Sequence, residues 1–191
     1  MLPFILIWPW ALSFLIVLLL QKNKGTILLT GQTESGKDTL LHILKGEGFS
    51  QSYSATPSKE EQEVSSDNLS YILINISGNK QFNKQKEKIK NELEKLKTKE
   101  SQRKIIYVYI FDILKFKEDN TLISAEINNA LKEAESRNFK AKIIATRGDK
   151  IDQGEKEILT NQIRQGGADF AIFDMTTLDK KQAFDFLEKG V

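Results

Sequence analysis

Eight consecutive residues, Gly31-Gln32-Thr33-Glu34-Ser35-Gly36-Lys37-Asp38, carry the strongest chemical signal in the sequence. Their spacing is that of G-x-x-x-x-G-K, a phosphate-binding P-loop. The glycines allow a tight turn whose backbone N–H groups surround phosphate oxygens, the helix that follows presents its N-terminus to the same anion, and the lysine adds a point charge. The phosphate contacts predicted are Gly31, Glu34, Ser35, Gly36, Lys37, Asp38 and Thr39. A glycine-rich turn without a ligand is the plain alternative, and the strand pattern before the loop and the helix pattern after it weigh against that. The residue after the lysine is normally Ser or Thr, whose hydroxyl ligates the magnesium ion bridging the phosphates. Here it is Asp38. A carboxylate is a good magnesium ligand, yet about 5 Å from a phosphate charge it costs roughly 3 kcal/mol at an effective dielectric near 20 unless the metal lies between them. Thr39 supplies a hydroxyl only if the loop register shifts.

Little else stands out as reactive. Cysteine is absent, which excludes disulfides and thiolate metal sites, and His42 is the one histidine, placed between Leu41 and Ile43 where a packing or surface role is the simpler reading. The 28 basic and 26 acidic residues are interleaved for a net charge of +2, so no direct nucleic-acid partner is expected.

The elements that must position the loop follow from hydropathy. Residues 1–20 contain no charge, and about 20 helical residues rise roughly 30 Å, one bilayer, so this segment is expected to be a transmembrane anchor. A cleaved signal peptide would want basic residues before the apolar run and a small-residue cleavage site after it, and neither is present. Lys22 and Lys24 in the basic linker 21–24 place the rest of the chain on the cytosolic side of a single-pass protein. Residues 25–191 form the soluble domain. Strand patterns at 25–30, 69–76, 105–113, 141–146 and 170–173 alternate with helix patterns at 38–45, 82–99, 122–137, 155–165 and 180–189. That alternation predicts an α/β fold with a mostly parallel, six-stranded sheet and helices on both faces. Residues 46–67, rich in Ser, Glu and Gln, are read as the least structured stretch.

With the loop on the first strand-helix unit of such a sheet, the chain resembles a small GTPase of the Ras-like superfamily, a P-loop NTPase G-domain, and the anchored arrangement is similar to that of the beta subunit of the signal recognition particle receptor. The resemblance implies GTP or GDP with Mg²⁺ as cofactors, and Asp38 and Thr56 as metal ligands. Thr56, 19 residues after Lys37, matches the Thr that reports the γ-phosphate. Asn75-Ile76-Ser77-Gly78 stands at the family's D-x-x-G: Gly78 matches, Asn75 replaces the acid, and Asn79 follows where relatives place a water-orienting Gln or His. Thr146-Arg147-Gly148-Asp149 stands at N-K-x-D, with Asp149 kept for the guanine edge, Arg147 for stacking and Thr146 replacing Asn. Asp174-Met175-Thr176-Thr177 corresponds loosely to the last base-contacting loop.

The role implied is docking of a protein partner at a membrane, the endoplasmic reticulum in the receptor-beta case, with hydrolysis very slow or absent. Two rivals remain open. One is a pseudo-GTPase kept as a structural subunit of a membrane complex. The other is a P-loop kinase of a small phosphorylated metabolite, which the G-K-D-T ending also resembles, although a basic lid is wanting: Arg103, Arg137, Arg147 and Arg164 are scattered.

Overall fold

The computed structural model describes residues 25–49, 59–66, 69–101, 103–164 and 169–189. The expected membrane span 1–20, the linker 21–24 and Thr56 lie outside these. Among the described residues no helix is long and apolar enough to cross a membrane.

Six strands form one sheet: β1 (Gly25–Gly31), β2 (Lys59–Ser65), β3 (Ser70–Ile76), β4 (Ile105–Asp112), β5 (Lys140–Thr146) and β6 (Asp169–Ile172). Their order is β2-β3-β1-β4-β5-β6. Only β2 runs antiparallel to its neighbour; the remaining pairs are parallel. The helices are α1 (Lys37–Lys45), α2 (Asn83–Lys99), α3 (Ile113–Glu118), α4 (Asn120–Ser136), α5 (Gln153–Arg164) and α6 (Lys180–Lys189).

The central strand β4 is buried along its whole length, and the two-residue period of a strand sends its side chains alternately into two cores. Ile106, Val108 and Ile110 meet Leu40 and Leu44 of α1 and Phe184 of α6. Ile105, Tyr107, Tyr109 and Phe111 meet Ile89 and Leu93 of α2, Ile127 of α4 and Ile163 of α5. Helices therefore cover both faces, as expected. Because α1, after β1, lies on one face and α2, after β3, on the other, the connections diverge around β1. In open parallel sheets that divergence opens a crevice beyond the carboxyl ends of the strands.

Two expectations need correction. The stretch 46–67 is not wholly irregular, since its end is strand β2, pairing from Lys59↔Ile76 to Ser65↔Ser70. Lys-Glu-Glu-Gln-Glu-Val-Ser has one buried apolar residue, Val64, so it carries no hydropathy signal, and the backbone ladder with β3 supplies the pairing. It is the sixth strand that the sheet required, and it leaves Glu60, Glu61 and Glu63 on an outer edge. Strand 105–113 in turn ends one residue early, because the Asp112 carboxylate accepts from Leu114 N at 2.9 Å and caps α3.

Candidate functional site

Helix α1 begins at Gly36 with φ 85°, a left-handed conformation that costs a residue with a Cβ dearly, and no side chain caps it. The first N–H groups of any helix have no intrahelical partner, and Gly36 has no side chain to offer them, the arrangement that attracts an anion. A Cβ at Gly36 would come within 3.1 Å of the Thr146 methyl, so the end of β5 packs directly on the loop. The Thr146 hydroxyl donates to the Phe111 carbonyl at 3.2 Å.

Lys37 is only 5 % exposed. Its ammonium is folded onto the loop itself: it donates to the carbonyl of Gln32, to Ser35 Oγ at 3.3 Å and to the carbonyl of Gly31 at 3.5 Å. Burial pushes its pKa down to about 8, Asp38 opposes this, and Lys86 and Lys115 push it further down. The cation that would meet a phosphate is thus already inside the loop, satisfied by main-chain oxygens.

Asn75 and Asp38, the two departures from the metal-binding pattern, touch each other. Asn75 Nδ2 donates to Asp38 Oδ1 at 2.6 Å, and Asn75 is wholly buried. The other end of that amide, Oδ1, is buried without a hydrogen-bond partner. Among the described residues no group of three or more His, Cys, Asp or Glu side chains could hold a metal on its own. A magnesium ion fits this donor set only in the manner usual for it, with one carboxylate, retained waters and substrate phosphates completing the shell. Asp38 would be the protein ligand, and the orphaned Asn75 acceptor would receive a hydrogen bond from a metal-bound water.

One cleft of about 710 Å³ joins the pieces. Glu34, Ser35, Gly36, Lys37, Asp38 and Thr39 of the loop and the first turn of α1 line it, together with Thr146, Arg147, Asp149, Lys150, Met175 and Thr176. Arg147 takes a left-handed φ of 60° and places Nε 3.1 Å from Asp112 Oδ2. Asp149 is paired with Lys150 at 2.6 Å. The Asp174 carboxylate accepts from the Thr176 amide at 2.9 Å and the Thr176 hydroxyl at 2.6 Å, which fixes the last loop.

Gly78 lies elsewhere. A Cβ on it would stand 2.3 Å from Thr33 N and 2.5 Å from the Gln32 carbonyl carbon, so its backbone abuts the outer side of the loop. With Gly31 and Gln32 it borders a second cleft of about 690 Å³ on the opposite face of the sheet. There Gln32 Nε2 and the Tyr109 hydroxyl both donate to Glu126 Oε2, at 2.8 and 2.7 Å. Asn79 is exposed, and its side chain accepts from Gln81 N at 3.0 Å. His42 faces Glu47 at the far end of α1.

Three residues escaped the sequence reading. Phe49, 42 % exposed, lines the cleft and is an aromatic of the kind that packs on a planar ring. Asp112 anchors Arg147, and Gln32 ties the loop to α4. An aromatic shortly after a helix-ending glycine pair, Gly46 and Gly48, was the one available signal.

No protein-family model matches this chain, and none of the curated proteins is similar to it.

Proposed function

We propose that this chain is a membrane-anchored, GTPase-like protein that binds GTP or GDP with Mg²⁺ and docks a protein partner at the membrane, with weak or absent hydrolysis. The observation that carries the reading is the single cleft in which the P-loop end and the Arg147–Asp149 end face one another. A nucleotide needs both ends, an anion cradle and a partly apolar slot with an acid for the base edge. Phe49 and Met175 supply the apolar walls, and Asp149 the acid. Slow hydrolysis follows from Asn79, whose side chain serves the backbone of Gln81 instead of a water in the cleft, and from the missing acid at Asn75. The Ras-like and receptor-beta resemblance supplies the partner-docking role and the cytosolic side of an endoplasmic reticulum membrane.

Lys37, folded onto the Gln32 carbonyl, favours a second reading, a pseudo-GTPase subunit whose loop is closed by its own lysine. A metabolite kinase is less favoured, since Arg147 is the one described arginine lining the cleft, while Arg103 and Arg137 pair with Glu100 and with Glu87 and Glu94. The deciding measurement is identification of nucleotide released on denaturing the purified full-length protein. Guanine nucleotide is expected; none released, together with no binding of added GDP, leaves the pseudo-GTPase, and adenine nucleotide reopens the kinase. Single-turnover hydrolysis with Mg²⁺ at a rate typical of partner-stimulated GTPases would refute the slow-hydrolysis half.

A further inference from the structure

We infer that Asp38 makes phosphate binding in this loop conditional on a divalent cation, with Asp38 as the direct metal ligand and Asn75 as the residue that positions it. This rests on the reading of the loop as a phosphate site and asks more of it. The sequence presents two losses, a hydroxyl replaced by Asp38 and an acid replaced by Asn75. The contact of 2.6 Å between them joins the two into one unit, with a carboxylate on the first turn of α1 and an amide at the end of β3 where the resemblance would place the acid. A wholly buried amide holding one carboxylate oxygen orients the other ligand positions as an outer-shell partner does. Its unpartnered Oδ1 adds an acceptor that a hydrated cation would satisfy.

The carboxylate changes the electrostatics. A hydroxyl beside the phosphates is neutral, whereas a carboxylate repels them. At about 5 Å and an effective dielectric near 20 the repulsion weakens phosphate binding on the order of a hundredfold. A cation between the charges reverses its sign. Magnesium held by one carboxylate fills its remaining positions with water and phosphate oxygens, so each ligand favours the other, and by reciprocity the coupling is equal in both directions.

The test is calorimetric titration of the full-length chain with pyrophosphate and, separately, with GDP, each in Mg²⁺ and in EDTA. For the unaltered protein, pyrophosphate should bind about a hundredfold more tightly with Mg²⁺. Asp38→Asn preserves shape and should bind pyrophosphate more tightly than the unaltered protein in EDTA, with the gain from Mg²⁺ reduced to under about tenfold. Asn75→Ala should keep the direction of the Mg²⁺ effect and shrink it, with the thermal midpoint of each variant as a control on folding. Equal affinity with and without Mg²⁺ in the unaltered protein, or weakening by Asp38→Asn in both conditions alike, overturns the inference. Mg²⁺-dependent pyrophosphate binding without GDP binding removes the nucleotide reading and leaves the role of Asp38 standing. Absence of pyrophosphate binding under both conditions removes both.

Discussion

In the proposed site, Lys37 is the residue on which anion binding would turn. Its ammonium touches only loop oxygens, and the loop backbone is shaped by Gly36, so Lys37→Ala should abolish pyrophosphate binding while changing stability by less than about 1 kcal/mol, as titration calorimetry and thermal melting would show. The depressed pKa gives that binding a pH dependence. In the free protein the amine loses its proton near 8, and a bound phosphate holds it on, so affinity should be flat below about pH 8 and fall by up to about tenfold per pH unit above it. Fold stability moves the other way. The folded pKa lies below the ordinary 10.5, so the unfolded chain binds more protons between about 8 and 10.5, and the contribution of Lys37 to stability rises with pH across that window. Lys37 and Asp38 were legible because one motif fixes their spacing, and Asp149 because a second pattern, at the end of β5, marks it; all three line one cleft. Asp112 was not: its meaning lies in Arg147, just beyond the end of β5, and a long-range pair leaves no local pattern.

At the scale of elements, β4 shows why most of the fold could be read and β2 why part could not. All eight residues of β4 are buried, and such a run has no competing explanation as a surface segment. Phe111 in that strand lies 6.3 Å from Phe170 and 5.8 Å from Phe116, ring centre to ring centre, so Phe111→Ala should cost about 3–5 kcal/mol in denaturant unfolding. Strand β2 contributes one buried apolar residue, Val64, and a strand held mainly by its hydrogen-bond ladder has no hydropathy period to betray it. Helix α3 was hidden differently, because Ile113 and Phe116 extend the apolar run of β4, and only the capping carboxylate of Asp112 marks the change. The approach of Gly78 to the loop is a contact between elements, which the sequence shows only as a lone glycine. Gly78→Ala would press a methyl on the Thr33 amide, and since backbone must move to admit it, a loss of about 1–3 kcal/mol and weaker pyrophosphate binding are expected from melting and calorimetry.

At the scale of the whole molecule, the order of the strands places the sites. The two clefts stand on opposite faces of one sheet and share the P-loop as their partition: Lys37 turns to one and Gln32 to the other. The sheet interior should be the last part to open, so amide hydrogen exchange should be slowest in β1, β4 and β5 and faster in β2 and β6; uniform exchange across the strands would contradict this topology. The two outer strands are where a sheet can recruit a second molecule. Strand β6 is only four residues long, and β2 carries Glu60, Glu61 and Glu63 in its seven. Among the described strands β2 is an edge, and its acidic residues should set like charge against like when two such edges meet and so oppose growth into ribbons. The strand that sequence patterning overlooked thereby safeguards colloidal solubility, and Glu61→Thr with Glu63→Thr should leave the sheet intact yet promote concentration-dependent polymerisation detectable by light scattering.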